Sequence, residues 1–131
     1  MRRVLDLLPL LFLAPAIACA SEPVTCSPLP PWAVAVDVRD SVTDQSVLSH
    51  AQGAVFLNGT LEDSLRHDRL VHLAFDSLLV GGNTVGLVEV HVEHPTYQPW
   101  VAANVQTQLS EGECPAWETQ LLIARLQPVS P

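Results

Sequence analysis

An all-β fold, an antiparallel β-sandwich of about seven strands, is the class this 131-residue sequence predicts. Three observations predict it. Apolar and polar residues alternate with a period of two, as in Val34, Val36 and Val38 against Ala35, Asp37 and Arg39. Clusters of Asp, Asn, Gly, Ser and Pro interrupt these runs at short intervals. Beyond the N-terminal segment, no stretch makes a convincing helix.

Each element follows from its own residues. Trp32 opens the first strand, AVAVDVRD (33–40), and DSVTDQS (40–46) supplies the Asp, Ser and Thr of a turn. In GAVFLNGTLEDSL (53–65), Asn58-Gly59 lies between two apolar runs, the pattern of a hairpin closed by a type I′ turn. Asn58-Gly59-Thr60 also matches a glycosylation sequon, which the turn explains without a sugar. RHDR (66–69) reads as a charged loop. LVHLAFDSLLV (70–80) alternates Val71, Leu73 and Phe75 against His72, Ala74 and Asp76, and GGN (81–83) makes a tight connection. The longest strand is TVGLVEVHVEH (84–94), ended by Pro95. WVAANVQTQL (100–109) and WETQLLIARL (117–126) are the last two strands, separated by SEGECPA (110–116), and Pro128 ends regular structure.

The first 18 residues have the parts of an export signal. Arg2 and Arg3 form the charged start, Leu7 to Ile17 the apolar core, and small residues follow. The apolar run is short of the roughly 20 residues that span a bilayer. AIAC (16–19) resembles the lipobox of bacterial lipoproteins, with Ala16 where leucine is favoured. The resemblance implies that Cys19 becomes the lipidated first residue of the mature chain. Ordinary cleavage at an A-x-A site, with simple secretion, is the alternative. Cysteine arithmetic agrees with lipidation: of three cysteines, Cys19 is consumed and Cys26 and Cys114 remain as an even pair for a disulfide. The alternative is two free thiols. Residues 19–31, with Pro23, Pro28, Pro30 and Pro31, form an extended tether, 32–128 the sandwich, and 129–131 a tail.

Cleavage before Cys19 removes two arginines and Asp6, leaving 4 basic against 13 acidic residues and a formal charge of −9. The chain has no lysine. Such a surface repels phosphate backbones, which excludes nucleic acid as a partner, and any membrane attachment must come from the lipid on Cys19.

AVAVDVRDSVTDQSV (33–47), VEVHVEHPTYQPW (88–100) and CPAWETQLLIARLQP (114–128) together resemble the carboxypeptidase regulatory-like domain. Asp40 and Thr43 fit that family's first turn, with Asp44 where glycine is usual and Ser46 where proline is. Val90, Val92, Pro95, Tyr97 and Trp100 fit the later strand and turn, with Thr96 in place of glycine. The resemblance covers roughly residues 32 to 127. It implies a transthyretin-like, Ig-like Greek-key sandwich and an accessory module rather than a catalyst.

The densest run of chemically able side chains is VEVHVEHPTYQPW. Alternation places Val88, Val90 and Val92 on the core face and Glu89, His91 and Glu93 on the other. His91 and Glu93, joined by His72 from a neighbouring strand, are the candidate metal ligands. A stable site needs three or four ligands, and His94 has the opposite parity, so a solvated polar face is the favoured account. Tyr97 is expected to tuck its ring against the sandwich end with its hydroxyl on backbone, and Trp100 to cap the core. An exposed Tyr97/Trp100 pair would instead make a binding turn for sugar or protein. No G-x-S-x-G or H-E-x-x-H motif is present. The transthyretin-like hydroxyisourate hydrolases end in Tyr-Arg-Gly-Ser, whereas this chain ends ARLQPVSP.

The sequence thus points to a non-catalytic exported structural or interaction module, lipid-anchored in a bacterial cell envelope and using no cofactor. Its partners are the membrane and an envelope protein or glycan. The alternatives are a ligand- or carbohydrate-binding protein using Tyr97 and Trp100, and a metal-dependent hydrolase built on His72, His91 and Glu93.

Overall fold

A computed structural model describes residues 21–26, 31–68 and 77–130. The expected leader, Cys19, His72 and the alternation at 71–76 lie outside the described residues. Seven strands follow in order: β1 (Val34–Asp40), β2 (Gln52–Leu57), β3 (Thr60–Asp68), β4 (Leu78–Gly81), β5 (Gly86–Glu93), β6 (Trp100–Thr107) and β7 (Gln120–Leu126). One 3-10 turn, Leu48–His50, precedes β2. Residues 21–26 are exposed and carry no regular structure.

The hydrogen-bonded order is β6-β5-β2-β3-β4-β1-β7. Within it β5-β2-β3-β4 is a Greek key: three strands joined consecutively, with the next returning beside the first. β3 turns the corner between two layers. Its first part pairs with β2, while Arg66, His67 and Asp68 pair with Val80, Leu79 and Leu78 of β4. The expected loop at 66–69 is therefore strand through Asp68; its charged residues look like a loop in sequence, yet their backbone completes a ladder. The end strands β6 and β7 face each other across a seam, so the sheet is nearly closed. Gln98 N–H donates to the Gln127 carbonyl at 2.8 Å at one end of that seam. Glu118 N–H donates to the Gln108 carbonyl at 3.0 Å at the other.

The expected seven-stranded all-β sandwich is what the chain forms. Its strand pairs are antiparallel except one: β1 runs parallel to β7, with Val34 opposite Gln120 and Asp40 opposite Leu126. β1 is also covered on both faces. Val34, Val36 and Val38 enter the main core with Val55, Leu79, Val88, Val90, Val92, Ala124 and Leu126. Ala35 belongs to a second cluster with Trp32, Leu78 and Val80. On that second face Asp37 is only 4% exposed, and its carboxylate accepts from Arg39 Nε at 2.7 Å. The pairing keeps a buried charge hydrogen-bonded.

β5 behaves as its period of two requires: Val88, Val90 and Val92 are buried, each contributing about 1.5–2 kcal/mol of transfer free energy. Asn58 (φ 50°) and Gly59 (φ 79°) both adopt positive φ, the signature of the type I′ hairpin turn. Cys26 and Cys114 form a disulfide with Cα atoms 5.4 Å apart, closing a loop of sequence separation 88. Loop-closure entropy assigns such a bridge about 4–5 kcal/mol.

A candidate functional site at the β5–β6 end

The site begins with the turn that Pro95 forces after β5. Tyr97 N–H donates to the His94 carbonyl at 3.2 Å, closing the turn, and Thr96 N–H donates to His94 Nδ1 at 3.2 Å. The second bond requires Nδ1 to be unprotonated. The C-terminal segment ties the turn down, since Tyr97 bridges to Pro128 and Val129 N–H donates to the Thr96 carbonyl at 3.1 Å.

Tyr97 is half-buried and its hydroxyl donates to Asp40 Oδ2 at 2.7 Å. The expected tuck against the sandwich end is present, but the acceptor is a carboxylate 57 residues away rather than backbone. The other oxygen, Asp40 Oδ1, accepts from Val42 N–H at 2.6 Å and Thr43 N–H at 2.9 Å, closing the turn after β1. The Tyr97 hydroxyl, followed by the two backbone donors, holds the Asp40 carboxyl below its ordinary range. Conversely, the bond to Asp40, then burial, pushes the Tyr97 phenol up. In the same turn Asp44 has φ 59° and reaches Arg125 with its carboxylate.

Beside Tyr97 lies an open depression of about 340 Å³, bordered by His50, Gln52, Glu93, His94, Pro95 and Tyr97. The rings of His94 and Tyr97 meet edge to face with centroids 4.8 Å apart, and His50 approaches His94 similarly at 6.1 Å. Burial, then the neighbouring His50, lowers the His94 pKa, which agrees with Nδ1 acting as an acceptor. Trp100 is half-buried against the main core and does not border the depression. The two rings are thus divided, with Tyr97 at the depression and Trp100 packed on the core. His50, from the 3-10 turn, and Gln52, at the start of β2, were missed in sequence because both lie more than forty residues from Tyr97, and His94 was weighed there only as a metal ligand. The one local signal was the Pro95 bend.

Of the candidate metal residues, His72 lies outside the described residues. His91 and Glu93 stand on the outer face of β5, where a second shallow depression of about 270 Å³ includes both. His91 Nε2 lies 3.0 Å from Glu89 Oε2, and its ring sits 4.5 Å from that of Phe56. Among the described residues no three His, Cys, Asp or Glu side chains gather in a metal-holding group. A comparison with protein-family models and with curated proteins finds no match. The disulfide is of the kind that forms and persists in an oxidising, exported setting. No helix among the described residues is long and apolar enough to cross a membrane.

Proposed function

We propose that this chain is a non-catalytic structural or interaction module of a bacterial cell envelope, exported and held to a membrane by a lipid on Cys19. The observation that carries the reading is the Asp40–Tyr97 bond. The Asp40 carboxylate and the Tyr97 hydroxyl satisfy each other and lock two turns together, which is structural work. Kinship with carboxypeptidase regulatory-like domains is part of the proposal. It is supported by Asp44, which takes a left-handed backbone conformation at the position where that family has glycine.

The test is the intact mass of the protein recovered from a membrane fraction. The expected species begins at Cys19 and carries acyl chains, and Cys19→Ser abolishes them. An acylated Cys19→Ser protein, or a wild type that is soluble and unmodified, removes the anchor. A zinc titration of wild type against His91→Ala separates the hydrolase alternative: equal, weak uptake by both ends it.

The depression beside Tyr97 supports a second reading, capture of a glycan or a peptide against His50, Gln52, Glu93 and the Tyr97 ring. Titrating soluble envelope oligosaccharides while following the His50 and His94 ring resonances tests it. Unchanged resonances at saturating sugar rule out the glycan form.

A further inference from the structure

The structure brings the N-terminal leash and the β6–β7 loop to one end of the sandwich. Cys26 is bonded to Cys114 in that loop. Trp32 and Ala33, just before β1, lie there too: their carbonyls accept from Thr119 Oγ1 at 3.0 Å and from Gln120 N–H at 2.8 Å. Asp40, His94 and Tyr97 occupy the other end. β6, from Trp100 to Thr107, connects the two over seven residue steps, about 23 Å.

We infer that the Cys114 end of the module, where the chain enters the sandwich, is its membrane-facing end, and that the disulfide holds this end within about 25 Å of the lipidated Cys19, the reach of seven extended residues. The inference rests on the proposed anchor and adds an orientation to it. Without the bridge, the next anchored residue among those described is Trp32, thirteen residues from Cys19 and about 45 Å away at full extension. The bridge therefore shortens the leash by roughly half without changing which end faces the bilayer.

The chemistry of the facing end says how it meets the surface. Glu111, Glu113 and Glu118 are exposed there. Anionic headgroups repel them, so this end stands over the bilayer and does not dock on it. The depression bordered by His50, His94 and Tyr97 is thereby presented away from the membrane, where a partner in the envelope space can reach it.

Energy transfer from the lipidated, full-length protein to vesicles reads this directly. A fluorescent residue is placed at Glu111 or at Gln45, exposed positions at opposite ends, by incorporation that adds no thiol. The vesicles are phosphatidylcholine carrying an acceptor-labelled lipid, with and without phosphatidylglycerol. Transfer from position 111 is expected to exceed that from 45 severalfold. It falls when the bridge is reduced or replaced in a Cys26→Ser/Cys114→Ser protein, and it falls when phosphatidylglycerol is added. Equal transfer from the two positions overturns the orientation, and transfer indifferent to the bridge overturns the leash. Protein that fails to float with the vesicles at all removes the anchor on which both stand.

Discussion

Thr107, the last residue of β6, is 1% exposed, and replacing it with valine isolates what its hydroxyl does. Its Oγ1 donates to the Thr84 carbonyl at 2.6 Å and accepts from Gly86 N–H at 3.1 Å, fastening the β4–β5 connection to β6. Valine keeps the volume and the branched shape, so the core is undisturbed while a carbonyl and an amide lose their partners. Both are half-buried, so water recovers part of the loss, and the cost is about 2 kcal/mol. Serine is the complementary change. It retains both bonds and loses one buried methyl, costing about 1 kcal/mol. For a domain of this length the valine variant should melt about 10 °C below wild type. Urea denaturation of the oxidised proteins, with slopes compared to exclude a change in the unfolded state, gives the free energies. The expected order of stability is wild type, then Thr107→Ser, then Thr107→Val. A valine variant as stable as wild type, or more stable than the serine variant, refutes the assignment.

Three further outcomes follow from the same geometry. Cys26→Ser/Cys114→Ser should lower stability by as much as about 4–5 kcal/mol, read as the gap between its melt and that of the oxidised protein; coincident melts would mean that the bridge constrains nothing. Gly59→Ala should cost about 1 kcal/mol, because φ 79° is a left-handed conformation and nothing crowds the position otherwise, so a neutral result contradicts the type I′ turn. Tyr97→Phe should alter the acid and alkaline limbs of the stability curve. Asp40 is depressed in the fold, so its contribution is complete above the unfolded carboxylate pKa of about 3.9 and is lost as pH falls through the lower folded value. The difference between wild type and variant therefore closes in acid. Tyr97 is raised, so the wild type also loses stability above about pH 10, where the variant does not. As the chain's one tyrosine, Tyr97 also reports its own ionisation by phenolate absorbance.

What was legible in the sequence was local. Val88, Val90 and Val92 announce a half-buried strand because side-chain direction in a strand depends on parity alone, and Asn58-Gly59 announces its turn because few residue pairs tolerate two positive φ values. What escaped was set by partners far along the chain. Nothing near Asp37 marks it as buried; that follows from the strands laid on either side of β1 and from Arg39. Arg66, His67 and Asp68 resembled a loop because only the β4 backbone makes them a strand. The depression joins His50 to His94 and Tyr97 across more than forty residues, and the Tyr97 acceptor is more distant still.

The parallel pairing of β1 with β7 has a consequence for how the protein comes to be folded. Every residue from Val34 to Asp40 has its counterpart between Gln120 and Leu126, so the first strand made waits for the last. A chain emerging N-terminus first, from a ribosome or a narrow export channel, cannot complete one side of β1 until residues 120–126 are free. Contacts so remote in sequence slow the closing step and leave the waiting strand open to unwanted pairing. The same delay keeps the polypeptide threadable, because no shortened version ending before Gln120 contains a finished sheet.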